Sequence, residues 1–240
     1  MNRRGVTLLE LLIAVTLLSL LSVGILMAMR VGLDAMHKTN SRLMDNRRVA
    51  RAQRILEEQI AGFIPLVADC MPAPERPRVR MPFFQGEPES MRFLSSYSLE
   101  EGARGYPRIL EFQVIPGENH RGVRLVVNER LYTGPASAGM LCMGMGPDPL
   151  SGAQVPLFRP IEVGPYSFVL ADRLAFCRFW YRQAPPPAPE RWVARWVQPQ
   201  WPRAIRIEMA PLEPDPSRVQ AMELVAPLRV NKIPMTDYVD

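Results

Sequence analysis

The chain has 240 residues, is 48% hydrophobic and carries a formal charge of +5, so it is long enough for one compact domain plus an appended segment. The charge is unevenly placed: Arg3 and Arg4 give +2, residues 30 to 64 carry seven bases against four acids, and residues 65 to 240 carry twenty against nineteen. The bulk of the chain is therefore close to neutral, which argues against a phosphate-binding face, and no nucleic-acid partner is expected.

The first element is apolar. Residues 11 to 29 are 19 uncharged residues, and a helix rising about 1.5 Å per residue would span about 28 Å with them, close to a bilayer core. Arg3 and Arg4 precede it, so the positive-inside rule leaves a short N-terminus in the cytoplasm and sends the remainder outward, in a bacterium to the periplasm. Glu10 is the one charge between residues 5 and 29. A carboxylate in a spanning helix costs about 2.5 kcal/mol or more at the centre and less near the interface, so it asks for a partner. A secretory signal peptide cut near Ser22-Val23-Gly24 explains neither the acid nor the length. A plain signal anchor leaves Glu10 equally unexplained.

Gly5-Val6-Thr7-Leu8-Leu9-Glu10, with basic residues before it and an apolar helix after it, resembles the class III leader of type IV pilins and type II secretion pseudopilins. The resemblance implies that prepilin peptidase cuts after Gly5 and methylates the new N-terminus at Val6, a position where the family usually has phenylalanine. Glu10 would then be the fifth mature residue. A new ammonium at Val6 of one subunit can pair with Glu10 of a neighbour as helices stack, neutralising two charges that would be costly alone in an apolar filament core.

The helix is expected to continue to residue 64. Val49, Ala52, Leu56, Ile60 and Phe63 recur at spacings of three and four, one apolar face of a helix, and Arg42, Arg47, Arg48, Arg51 and Arg54 fall around and opposite that stripe. Pro65 closes the helix. The expected organisation is a leader over 1–5, a membrane-inserted half over 6–29, an amphipathic half over 30–64, and a head over 65–240.

From residue 65 the periodicity changes to two. Residues 91–96, 108–115, 122–127, 167–171, 174–181, 204–209 and 221–230 read as short half-buried strands, with Leu110, Phe112 and Val114, or Ile205, Ile207 and Met209, alternating onto one face. Proline-rich stretches over 71–82 and 183–192 read as loops, and 133–156 reads as a long loop that either faces a partner or moves. Strands this short, joined without helical patterns, imply antiparallel sheets packed on the N-terminal helix. The expected fold class is α+β, with two sheets in the head.

Cys70, Cys142 and Cys177 are an odd number with no C-x-x-C, so zinc and redox motifs are weak readings. In an oxidising compartment one disulfide and one buried thiol is the simplest arrangement. Cys177 shares an expected strand face with Ala175, Phe179 and Tyr181, a core position that leaves Cys70 and Cys142 as the better pair.

The order of an aromatic strand over 174–181, a proline-containing loop, Trp192 and Trp196, then WPRAIRIEM over 201–209 is similar to the C-terminal half of J-type minor pseudopilins. Residues 30–36 and 47–60 look like the same subgroup. That resemblance implies a pilin-like fold, an inner-membrane anchor, a place at the tip of a periplasmic filament, and I-type, K-type and major pseudopilins as partners. A minor pilin of a type IV pilus is the alternative within the superfamily. A signal-anchored periplasmic enzyme or binding protein is the alternative outside it.

Catalytic chemistry is thinly supplied. His37 lies on the long helix and His120 in a polar turn, so neither a triad nor an H-E-x-x-H site can be assembled. Met140, Cys142, Met143 and Met145 are soft ligands that could suit Cu(I), and equally a flexible apolar loop or disulfide end. Trp180, Trp192, Trp196 and Trp201 read as core for the most part, or could stack a sugar or anchor a partner subunit, with Trp192, Trp196 and Trp201 as the candidate partner surface. No cofactor, metal or small-molecule substrate is expected.

Overall fold

The computed structural model describes residues 8–70, 79–184, 189–213 and 221–229, apart from the side chains of residues 38 and 40–49. Met1–Arg47 and Arg48–Asp240 are two compact units. Helix α1, Leu8–Ala61, is 54 residues long. Within the second unit its apolar stripe is realised: Ala52, Leu56 and Ile60 are buried, while Arg51, Arg54 and Glu57 are exposed. Val49, Arg42, Arg47 and Arg48 lie outside the described side chains.

Phe63 does not belong to the helix. Phe63–Ile64 form strand β1, paired with Ser95 and Leu94, so the helix stops at Ala61 rather than at residue 64. The sheet edge captures the chain before Pro65 can stop it: Ser96 N donates to Gly62 O at 2.8 Å. Only glycine fits at 62, because a Cβ there would lie 2.6 Å from Ser95 Oγ.

The head continues with β2 (Val67–Cys70), β3 (Val79–Pro82), β4 (Gln85–Gly86), β5 (Ser90–Ser98), β6 (Ala103–Pro116), β7 (Val123–Leu131), α2 (Pro135–Gly139), β8 (Cys142–Pro147), β9 (Gln154–Phe158), β10 (Phe168–Gln183), β11 (Arg191–Val193), β12 (Ala204–Pro211) and β13 (Met222–Pro227). Nine of these strands form one antiparallel sheet of order β1-β5-β6-β7-β10-β12-β13, with β4 on β5 and β11 on β10. The other four form two ribbons, β2-β3 and β8-β9. The fold is α+β and pilin-like, one main sheet and two small ones taking the place of the two sheets expected.

Side-chain alternation separates two cores. Met91 opposite Phe112 and Phe93 opposite Leu110 face Leu56 and Ile60 of α1 in a core that runs across the sheet to Leu224 of β13. Leu94 opposite Ile109 faces the other way, into a smaller core with Ala68, Cys70, Met81, Phe83, Ala138, Cys142 and Phe158. Strands β5 and β6 are thus buried on both faces, whereas β12 and β13 alternate buried and open positions. A flap built from β2, β3, α2, β8 and β9 covers the second face only over the first half of the sheet.

That flap includes most of 133–156, expected as one long loop. Strand β8 alternates buried Cys142, Gly144 and Gly146 with open Met143, Met145 and Pro147. Two of the three residues on its inward face are glycine, which supplies no apolar signal, and a Cβ at Gly146 would lie 2.7 Å from Leu157 Cδ1, so that side chain would have to shift. The expected break between 171 and 174 is also absent: β10 is one strand of 16 residues with register shifts between Val169 and Leu174 and between Leu174 and Phe176. The second bulge moves Ala175 to the open side and gives its expected place beside Cys177 to buried Leu174.

Asp148 closes the β8-β9 turn. Its Oδ2 accepts from Ser151 N at 2.8 Å and Ser151 Oγ at 2.7 Å, and its Oδ1 accepts from Arg195 Nη1 at 2.8 Å. The Ser151 hydroxyl first, then Arg195 and the Ser151 amide, hold this carboxyl down at about 2 against an ordinary 3.8. A carboxyl depressed by folding contributes stability that is complete above its unfolded value and lost as the pH falls through its folded one. Asp148→Asn is therefore expected to unfold with a shallower acid dependence between about pH 4 and about pH 2, followed by circular dichroism. Superimposable acid titrations of the two proteins would count against this assignment.

Candidate functional site

The segment that sets this chain apart is the start of α1. Leu8–His37, 30 residues, is long and apolar enough to cross a membrane, about 45 Å at 1.5 Å per residue against about 30 Å for a hydrocarbon core. Every large apolar side chain from Leu8 to Met36 is exposed. A helix apolar on all sides is at home in lipid or inside a protein bundle, not in water.

Its few polar groups are arranged for that medium. Thr16 Oγ1 donates to Ile13 O at 2.9 Å, Ser19 Oγ to Val15 O at 2.8 Å and Ser22 Oγ to Leu18 O at 2.8 Å. Each hydroxyl is satisfied by the turn before it, so none enters an apolar environment as a bare donor. Glu10 is the third residue of α1 and is exposed. Gly5 and Val6 lie outside the described residues.

The other residues singled out by sequence fall in the head. Cys70 and Cys142 form a disulfide, with Cα atoms 5.5 Å apart, that ties β2 to β8. Cys142 is thus a disulfide sulfur, and the three methionines around it are exposed. Cys177 is a free buried thiol, pushed up to about 12 first by burial and then by Glu89.

Trp196 and Trp201 are only 8% and 6% exposed and belong to the larger core, which corrects the expectation of a partner surface there. Trp196 packs edge-on against Phe84, ring centroids 6.4 Å apart, and its Nε1 donates to Gln200 O at 2.6 Å. The chain after β11 needs these rings to close the core against β4 and β12. Trp192 is half-buried on β11, with the Arg206 guanidinium 5.0 Å from its ring and 5.2 Å from that of Trp180.

One buried polar constellation escaped sequence reading. Arg92 Nε donates to Glu111 Oε1 at 2.9 Å, its Nη1 to Gln85 Oε1 at 2.8 Å and its Nη2 to Arg159 O at 3.0 Å. Arg130 Nε donates to Glu111 Oε2 at 2.9 Å. Burial pushes the Arg92 guanidinium down and Glu111 opposes that shift. The pair fastens β5 and β6 to the residue that follows β9, a structural duty. A charged residue in each of two strands with apolar residues on both sides was the available signal.

Among the described residues no three His, Cys, Asp or Glu side chains gather as a metal site. His37 is on α1 and His120 in the turn before β7, both exposed.

Residues 1–26 match the model of the prokaryotic N-terminal methylation motif. No curated protein matches the chain. This motif is the signal of type IV pilins and pseudopilins, and it supports a pilin-like superfamily for this chain. It implies processing by prepilin peptidase and assembly with other pilin-type subunits, and it is typical of structural subunits. The single apolar helix is consistent with an inner-membrane anchor of pilin type.

Proposed function

We propose, with that methylation motif as the premise, that the chain is a J-type minor pseudopilin of a type II secretion system. In this reading MNRRG is removed after Gly5, Val6 becomes the methylated N-terminus, and Glu10 receives the ammonium of a neighbouring subunit during stacking, so that neither charge stands alone in an apolar filament. Residues 6–29 hold the membrane, and the head, with the remainder of the helix, works in the periplasm. The subunit joins I-type and K-type minor pseudopilins and the major pseudopilin at the filament tip. Its work is assembly rather than turnover, and it needs no cofactor.

The observation that carries the reading is the union of the motif with the helix it opens. One 54-residue helix begins with a stretch able to cross a membrane and ends with Leu56 and Ile60 in the core of an antiparallel head. The order of aromatic strand, spaced tryptophans and WPRAIRIEM supports the J-type assignment. Two measurements test it. Mass spectrometry of the protein from inner membranes is expected to give an N-terminus at Val6 carrying one extra methyl group; an intact Met1 or a start near Ile25 would sink the filament reading. The processed protein is expected to co-purify with I-type and K-type subunits, and Glu10→Ala to lose that association while the head stays folded. Recovery with pilus subunits instead would refute the secretion assignment.

A further inference from the structure

Most arginines of the head have acids beside them. Arg108 meets Glu101 at 2.7 Å, Arg124 meets Glu118 at 2.9 Å, Arg130 meets Glu111 at 2.9 Å and Arg206 meets Glu208 at 3.2 Å. The corner where β10, β11, β12 and β13 end together departs from this habit. Arg191, Arg203 and Arg229 are exposed there, and none has an ion pair among the described residues. Among the described residues, the acid next to Arg191, Glu190, is engaged by Arg182 at 3.4 Å.

Backbone pairing fixes how far apart the Cα atoms of these arginines stand. Arg191 lies opposite Gln183 on β10 and donates from Nε to Gln183 Oε1 at 3.3 Å. On the other side of β10, Arg203 N donates to Arg182 O at 3.0 Å, and Leu228 N, one residue before Arg229, donates to Arg203 O at 2.9 Å. Arg191 and Arg203 are therefore two strand spacings apart, about 10 Å, with Arg229 one further strand away. Side chains rooted this close can bring their cations within about a Debye length, about 8 Å, of one another, and the repulsion is relieved by an anion placed between them.

We infer that this corner is a docking surface for an acidic, extended segment of a partner protein. On a polyproline II chain, with three residues per turn and about 3.1 Å of rise per residue, carboxylates three residues apart lie on one side about 9 Å apart, close to the backbone spacing of Arg191 and Arg203, and guanidinium groups bind carboxylates through paired N–H donors. A membrane surface fits less well. Lipid binding by a small basic patch needs an apolar anchor beside it, and among the described residues the exposed sequence neighbours at this corner are Pro189, Glu190, Pro199, Gln200 and Pro227. The surface belongs to the head and stands whether or not the chain enters a filament.

The test uses the full chain in detergent micelles and a fluorescent peptide, Glu-Gly-Ser-Glu-Gly-Ser-Glu, followed by anisotropy. Binding is expected at about 0.05 M salt and is expected to weaken strongly by about 0.3 M. Arg191→Gln with Arg203→Gln should lower affinity about tenfold, Arg191→Lys with Arg203→Lys, which keeps the charge but not the paired donors, should fall between that variant and the wild type, and Arg178→Gln, an exposed arginine outside the corner, should change nothing. A peptide with glutamine in place of glutamate should not bind. Equal affinity for the wild type and the Gln/Gln variant, with unchanged melting temperatures, overturns the inference. So does binding to phosphatidylglycerol vesicles without binding to the acidic peptide.

Discussion

Glu111→Leu is expected to destabilise the head by about 3–5 kcal/mol, because it leaves a buried guanidinium without its counter-charge. Arg92 and Glu111 side chains are 1% and 0% exposed. After the substitution Arg92 keeps Gln85 Oε1 and Arg159 O as acceptors, two neutral oxygens that do not balance a full charge at this depth. Arg130 also loses its carboxylate, but its side chain is 48% exposed and water can replace that partner, so the loss centres on Arg92. The double variant Arg92→Met with Glu111→Leu removes both charges, and it is expected to recover most of the stability, since apolar replacement of a buried pair is often neutral or better. Urea denaturation of the full chain in micelles measures both. If the double variant is as unstable as Glu111→Leu alone, the damage lies in packing rather than in the stranded charge.

The second large effect concerns the disulfide. Cys70 and Cys142 are 72 residues apart in sequence, and closing a loop of that length removes enough unfolded-chain entropy to stabilise the fold by about 4 kcal/mol in the chain-entropy model. Cys70→Ala with Cys142→Ala is expected to lose about that amount. The loss should be spatially uneven, because both cysteines belong to the smaller core and neither belongs to the larger one. Amides of β2, β3, β8 and β9 should therefore exchange hydrogen faster than those of β7, β10 and β12. Uniform acceleration across all of these strands would mean that the two cores melt as one.

The sequence disclosed those parts in which one pattern acts alone. Strands β12 and β13 show plain alternation, and the stripe Ala52, Leu56, Ile60 shows plain helical spacing, so their buried faces could be read directly. The flap could not, because two of the three inward positions of β8 are Gly144 and Gly146, and hydrophobic counting sees presences. The bulges of β10 were invisible because the bent stretch carries no glycine or proline to mark it; the residue at positive φ there is Arg173. Trp196 and Trp201 were legible as important but not as buried. At the other end of the chain the leader motif needed no fold to be seen, since a peptidase reads it as sequence.

The self-satisfied hydroxyls of Thr16, Ser19 and Ser22 carry a mechanical corollary. Each takes its acceptor along wherever the helix goes, so transfer from lipid to a bundle of other helices breaks no hydrogen bond at these three sites and forms none. Such transfer exchanges one set of dispersion contacts for another of similar depth. Were the helix to make such a transfer, these three residues would add no polar latch that must be undone.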